Sequence, residues 1–98
     1  MKILNLSTLM QKFDESSIIV IAGAGGFIGG HLVDALIAAG FARIRCVDIK
    51  PMEQWYQVNA QCENLVLDLS DKQNCLTAMA NADHVFNLAC NMGGMGFI

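Results

Sequence analysis

The 98-residue sequence predicts an α/β fold built on a doubly wound parallel sheet of about four strands. Two observations support this fold class. Short apolar runs rich in β-branched residues alternate along the chain with segments whose apolar residues recur at helical spacing. The first of these runs, SIIVIA, is continuously apolar, as expected for a strand buried on both faces of a parallel sheet. We expect one domain over residues 17–98, after a lead-in segment over residues 1–16 with a short helix near residues 7–13.

The elements of this domain can be assigned in order. Residues 17–22 are the predicted first strand, and five glycines follow within residues 21–30. Apolar residues at helical spacing from Ile28 to Ala39 predict a helix, and Gly40 would end it. The remaining predicted elements are a second strand at 43–49, a short helix over 52–58 that Pro51 can start, a third strand at 64–69, a helix from Ser70 or Asp71 to about Asn81, and a fourth strand at 84–89. In the last helix we expect Leu76, Met79 and Ala80 to face the sheet.

Composition excludes several classes of protein. The chain carries six Lys and Arg against nine Asp and Glu, a net charge of −3, and its cations are scattered, so nucleic-acid binding has little electrostatic support. The four cysteines form no Cys-x-x-Cys pair and no His is spaced to complete a zinc site, so we expect no metal and free thiols in a reducing compartment. A poor signal peptide and the lack of a run of about 20 apolar residues predict a cytoplasmic protein without a membrane span.

The glycine cluster has the spacing Gly23-x-x-Gly26-x-x-Gly29 between a buried strand and a helix. Gly23 would permit a tight turn, Gly26 would remove a Cβ where a pyrophosphate approaches the backbone, and Gly29 would let the helix lie close to the sheet. Backbone amides near Phe27 and Ile28 would then face the phosphates. A glycine-rich turn that only packs a helix tightly is the alternative.

The second and third predicted strands each end on an acidic residue, Asp48 and Asp68. Asp48 lies 19 residues after Gly29 at a strand end, where a carboxylate accepts hydrogen bonds from an adenosine ribose. Such a carboxylate repels a 2′-phosphate, which favours NAD over NADP, although Arg45 and Lys50 leave that choice open. An ordinary strand-end acid is the alternative for Asp48. Asp68 would lie near the adenine edge, with helix capping alongside Asp71 as its alternative.

The blocks IAGAGGFIGGHL, VDIK, LDLSD and ADHVFNLACNMGGMGFI resemble the extended short-chain dehydrogenase/reductase superfamily of NAD-dependent nucleotide-sugar epimerases and dehydratases. The MGGMGF block is similar to the corresponding segment of the GDP-mannose 3,5-epimerase family. Two departures are Ala22, where many relatives carry Thr, and Cys90, where a second Ala is usual. The resemblance implies a Rossmann-like fold, of which this chain is the N-terminal half of the dinucleotide-binding domain. It also implies a reaction in which NAD oxidises the sugar at C4, C3 and C5 are epimerised, and the sugar is reduced again.

The resemblance also implies residue roles. At the pyrophosphate of NAD, the contacts would come from Gly23, Gly26, Phe27 and Ile28, with Gly29 behind them. Asp48 would hold the ribose, Asp68 and Leu69 would border the adenine, and Leu88 and Ala89 would lie at the nicotinamide side. The GDP-sugar substrate would adjoin Gly93 and Gly94.

The proton-handling Tyr-x-x-x-Lys motif of that superfamily is absent, because the single tyrosine is Tyr56 and position 60 is Ala. We therefore predict no catalytic residue, a chain truncated relative to the family and incapable of catalysis alone, and a GDP-sugar substrate only in a complete enzyme. A non-catalytic nucleotide-binding or self-assembling module and an inert truncated fragment are the alternatives. The fourth strand would form an open edge, which predicts a homo-oligomer.

Overall fold

Strands and helices alternate along the part of the chain that the computed structural model describes, residues 14–89. The predicted helix near residues 7–13 and the glycines at 93 and 94 lie outside this range. The elements are β1 (Ile19–Ala22), α1 (Phe27–Ala38), β2 (Ile44–Asp48), a single 3₁₀ turn (Met52–Gln54), β3 (Glu63–Val66), α2 (Lys72–Ala78) and β4 (His84–Asn87).

The four strands form one sheet in the order β3-β2-β1-β4, and every pairing is parallel. Ile19 at the start of β1 lies opposite Ile44 of β2 on one side and His84 of β4 on the other. From β1 the chain first builds the sheet outward through β2 and β3, and then crosses to the other side of β1 to form β4. The predicted doubly wound α/β fold is confirmed, with a topological switch point between β1 and β4.

The two helices cover opposite faces of the sheet. Strand β1 is buried on both, with residues 19–22 no more than 1% exposed, which is why its sequence is continuously apolar. On one face the core consists of Ile19, Ile21, Ala24, Val33, Leu36, Phe41, Ile44, Cys46 and Trp55. On the other face Ala78 of α2 packs with Val20 and Val47, and Leu65, Leu67, Leu69, Met79 and Ala82 surround them.

Several predicted boundaries are wrong by a few residues. Strand β1 begins at Ile19 rather than at residue 17, and β3 ends at Val66, well before residue 69. The helix expected after Pro51 is a single 3₁₀ turn, because the chain is already extended at Trp55. Helix α2 covers only Lys72–Ala78, and Asn81 takes a left-handed conformation with φ 61°.

The predicted inward face of α2 is also wrong in part. Leu76 is 58% exposed and Ala80 is exposed, whereas Ala78 is buried and Met79 partly buried. Residues 76 and 78 lie about 200° apart around a helix, so the burial of Ala78 turns Leu76 to solvent. No helix within residues 14–89 is both long enough and apolar enough to cross a membrane.

Candidate functional site

The turn after β1 packs directly against the end of β4. Gly23 has φ +89°, and a Cβ on it would lie 2.6 Å from the carbonyl carbon of Leu88 and 2.7 Å from the amide nitrogen of Ala89. The Leu88 amide donates to the Ala22 carbonyl oxygen at 2.7 Å. Gly23 is therefore required twice, for a conformation that side chains rarely adopt and for close contact with a neighbouring backbone.

Gly29 and Gly26 have different reasons to lack a side chain. A Cβ on Gly29 would collide with the carbonyl oxygen of Gly23 and lie 2.8 Å from Cα of Ala24, so α1 starts directly on top of the turn. A Cβ on Gly26 would meet only the Gly23 carbonyl oxygen, at 3.6 Å, an ordinary contact. Within the part of the chain that the structure describes, no other atom lies close to this position, which leaves space for a ligand at the start of the helix.

No side chain within residues 14–89 caps the N-terminus of α1. Gly26 is the N-cap residue and offers no side chain, and the first turn contains no acidic residue. Among residues 14–89 no acceptor pairs with the amides of Phe27 and Ile28, whose side chains are 60% and 69% exposed. Unpaired amides and the positive end of the helix dipole suit an anion, and this arrangement fits the phosphates of a dinucleotide.

Asp48, the last residue of β2, is tied to this turn. Its Oδ2 accepts a hydrogen bond from the Gly25 amide at 2.9 Å, and its Oδ1 accepts one from the Lys50 amide at 3.0 Å. A carboxylate offers about four acceptor positions, so capacity remains for a pair of ribose hydroxyls. Asp48 is thus held next to the turn that leads into α1.

Arg45 does not reach this site. Its Nε donates to Glu63 Oε1 at 2.7 Å, and its Nη1 donates to the carbonyl oxygens of Ala78 and Ala80 at 2.6 and 2.9 Å. The side chain is thus committed to the C-terminal end of α2. Of the two cations that left the choice between NAD and NADP open, only Lys50 remains next to Asp48.

Asp68 lies in the turn after β3 and not at a strand end as predicted. Its Oδ1 accepts hydrogen bonds from the hydroxyl and the amide of Ser70 at 2.7 and 2.9 Å, and these bonds hold the pKa of the Asp68 carboxyl below its usual value. Asp71 caps α2, accepting from the amides of Gln73 and Asn74. The side chain of Leu69 packs on the core under α2, and its carbonyl oxygen accepts a hydrogen bond from the Cys75 thiol at 2.8 Å.

The structure thus brings together the glycine turn, Asp48 and the Leu88–Ala89 backbone. Asp68 instead bonds within its own turn, and the Leu69 side chain packs on the core under α2. Sequence reasoning missed two further glycines, Gly25 and Gly30, and the residues that pack on them. The available signal was that five glycines stand where the 23/26/29 spacing needs three. Within the described residues no group of three His, Cys, Asp or Glu side chains is placed to hold a metal ion.

A parallel sheet with a glycine turn at its switch point defines the Rossmann-like class of α/β proteins. The chain belongs to the 3-beta hydroxysteroid dehydrogenase/isomerase family, whose sequence model matches residues 20–98. It is also 45% identical over 80 residues to GDP-mannose 3,5-epimerase 1 of Oryza sativa subsp. indica, a match that covers 82% of this chain. GDP-mannose 3,5-epimerase of Arabidopsis thaliana is 43% identical over 84 residues, or 86% of the chain. The resemblance to NAD-dependent epimerases and dehydratases is confirmed.

The match covers only a small part of these relatives. It spans 21% of the length of the rice protein and 22% of the Arabidopsis protein, so the chain corresponds to about a fifth of each.

Proposed function

We propose that residues 17–98 supply part of the NAD-binding domain of a nucleotide-sugar epimerase similar to the GDP-mannose 3,5-epimerases. One observation carries this proposal: the Asp48 carboxylate is hydrogen-bonded to the Gly25 amide, directly before the uncapped start of α1. A ribose acceptor and phosphate donors then lie side by side. The adenosine ribose and the pyrophosphate are adjacent in NAD, so the two halves of the site match the order of groups in the cofactor.

Each part of the cofactor has proposed contacts on this chain. The amides of Phe27 and Ile28 hold the pyrophosphate in the space beside Gly26, and Gly23 and Gly29 shape the turn that presents them. Asp48 accepts from the ribose hydroxyls. Bound NAD supplies a hydride acceptor for the sugar. The remaining proposed contacts are Asp68 and Leu69 at the adenine, Leu88 and Ala89 towards the nicotinamide, and Gly93 and Gly94 towards the GDP-sugar.

We expect this chain to bind NAD without turning over a GDP-sugar. The Tyr-x-x-x-Lys motif that would deprotonate a sugar hydroxyl does not occur in this sequence, because the single tyrosine, Tyr56, is followed four residues on by Ala60. A cytoplasmic location also remains our prediction. It is supported by the free thiols of Cys46, Cys62 and Cys75.

Calorimetric titration of NAD and AMP into the chain tests the proposal. Gly26→Val fills the open space at the helix start, and we expect it to weaken NAD binding by about tenfold or more, since one phosphate approach is blocked. Ala38→Val is the matched control, because it places the same side chain at the far, exposed end of α1 and should leave the Kd unchanged. A folded parent chain that binds neither nucleotide would rule the proposal out.

A further inference from the structure

Gly25 and Gly30 stand in the glycine-rich stretch but outside the 23/26/29 spacing. A Cβ on Gly25 would lie 2.7 Å from Cδ1 of the Trp55 ring and 2.9 Å from Oδ2 of Asp48. A Cβ on Gly30 would lie 2.9 Å from Cγ of Gln57. Both glycines therefore make room for one short segment, residues 55–57 in the loop between β2 and β3.

Hydrogen bonds join the same segment to the glycine-rich stretch at two points. The Tyr56 amide donates to the Gly25 carbonyl oxygen at 2.8 Å, and Nε2 of Gln57 donates to the Gly30 carbonyl oxygen at 3.1 Å. The buried Trp55 ring is itself fixed, because its Nε1 donates to the Lys50 carbonyl oxygen at 2.8 Å. The contacts extend from the turn before α1 into the first turn of the helix.

Aromatic packing adds a third point of attachment. The Tyr56 ring lies edge-on to Phe27, with centroids 4.8 Å apart, and 5.5 Å from the His31 ring. Phe27 is the first residue of α1, and its amide is one of the unpaired donors of the site. The segment therefore touches the residues immediately before and after Gly26 without occupying the open space at Gly26.

We propose that Trp55, Tyr56 and Gln57 form a clamp that holds the glycine turn and the first turn of α1 in the arrangement that binds a nucleotide. These three are positioning residues, and the inference rests on the proposed function. Glycine-rich backbone loses more conformational freedom on ordering than any other backbone. If the clamp orders this backbone during folding, the amides of Phe27 and Ile28 already point to one place when the nucleotide binds. Less binding free energy is then spent on ordering the loop.

A double variant separates this role from a contribution to stability. Gln57→Ala removes the clamp's bond to Gly30, and Gly30→Ala in the same chain fills the vacated space and favours the helix, since alanine is a better helix former than glycine. We expect the combined variant to melt at the same temperature as the parent or higher, yet to bind NAD about fivefold more weakly. A Kd within about twofold of the parent's would overturn the inference.

Substitutions of Trp55 test the ring itself. Trp55→Phe keeps a ring against Gly25 and should change the Kd for NAD by less than about threefold, whereas Trp55→Ala should weaken binding by about tenfold. Ala78→Gly destabilises the opposite face of the sheet and serves as the matched control. At a temperature where all variants are folded, it should bind like the parent. Equal Kd values for Trp55→Ala and Ala78→Gly would contradict the clamp.

Hydrogen exchange without ligand distinguishes failure of the clamp from failure of the proposed function. In Trp55→Ala we expect the amides of Gly25 and Tyr56 to exchange about tenfold faster, while the amide of Ile21 in β1 stays protected. Unchanged exchange at Gly25 and Tyr56 would overturn the clamp. If the parent bound no NAD while exchange at these amides rose in Trp55→Ala, the proposed function would fall and the ordering role of the clamp would stand.

Discussion

The carboxylate of Asp48 accepts a hydrogen bond from the backbone amide of Gly25 at 2.9 Å, and this bond joins the end of β2 to the turn after β1. The two residues are 23 positions apart in the sequence, one at the end of β2 and the other in the turn that follows the neighbouring strand β1. The bond makes the proposed ribose acceptor and the proposed phosphate-binding turn one unit. A change at either residue should therefore alter both halves of the candidate site.

Asp48→Asn tests the choice of cofactor. The amide keeps one acceptor oxygen but removes the negative charge that repels a 2′-phosphate, so we expect the Kd for NAD to rise about tenfold and the preference for NAD over NADP to shrink. Titrations with both dinucleotides measure this. Asp34→Asn, which removes the same charge from the exposed face of α1, should leave both Kd values in place. An undiminished preference for NAD in Asp48→Asn would contradict the assigned role.

Gly23→Ala and Gly26→Ala should separate folding from binding. The first places a Cβ against the backbone of Leu88 and Ala89 at a φ of +89°, so we expect a loss of about 3 kcal/mol in the free energy of unfolding. The second places a Cβ in ordinary contact with the Gly23 carbonyl oxygen and should cost less than about 1 kcal/mol, while it weakens NAD binding. Urea denaturation and calorimetry give the two quantities, and the reverse order of stabilities would refute this reading of the turn.

Arg45 of β2 serves as the cation at the C-terminal end of α2, which has no basic residue in its own last turn. Arg45→Ala leaves the carbonyl oxygens of Ala78 and Ala80 without this donor, and we expect a loss of about 2 kcal/mol in the free energy of unfolding. Glu63→Gln removes only the ion pair, whose carboxylate side chain is 56% exposed, and should cost less than about 1 kcal/mol. Urea titrations of both variants check the order, which equal losses would contradict.

The Cys46 thiol lies in the core beside Cys62. Burial raises the pKa of Cys46, and the neighbouring Cys62 raises it further. The folded protein therefore holds the Cys46 proton more tightly than the unfolded chain does. The resulting contribution to the free energy of unfolding is fully present below the unfolded thiol pKa of about 8.5, and it decreases as the pH rises above that value. We expect the melting temperature to drop between about pH 8.5 and 10 by less in Cys46→Ala than in the parent. Parallel curves for the two proteins would show that Cys46 does not contribute.

Self-association is a further expectation. Strand β4 ends the described sheet, Val85 on its α2 side is 47% exposed, and Leu76 on α2 is 58% exposed. Light scattering over a concentration series should give a mass above that of one chain, and Leu76→Lys should lower it by removing apolar surface. Thr77→Lys adds the same charge at a neighbouring exposed position and should have a smaller effect. A monomeric parent at the highest concentration would disprove this expectation.

Local patterns predicted much of the fold. The unbroken apolar run before Gly23 indicated a strand buried on both faces, and β1 occupies the inside of the sheet for that reason. The role of Asp71 as a helix cap could also be predicted from the sequence, because a short side chain with an acceptor oxygen just before a helix can bond the free amides of the first turn. The buried face of α2 was harder to predict. Over its seven residues, apolar periodicity could not distinguish Ala78 from Leu76 as the inward residue.

The sequence by itself determined the order of strands and helices, the glycine turn with its 23/26/29 spacing, and the strand-end position of Asp48, because all of these depend on residues close together in the chain. Only the tertiary structure decided that Asp48 bonds to Gly25, that Arg45 serves α2, and that Trp55 and Gln57 pack on Gly25 and Gly30. These contacts join segments 23 to 35 residues apart. Which residues meet depends on how the parallel strands bring distant loops to one edge of the sheet. A sequence pattern within a single segment does not contain that information.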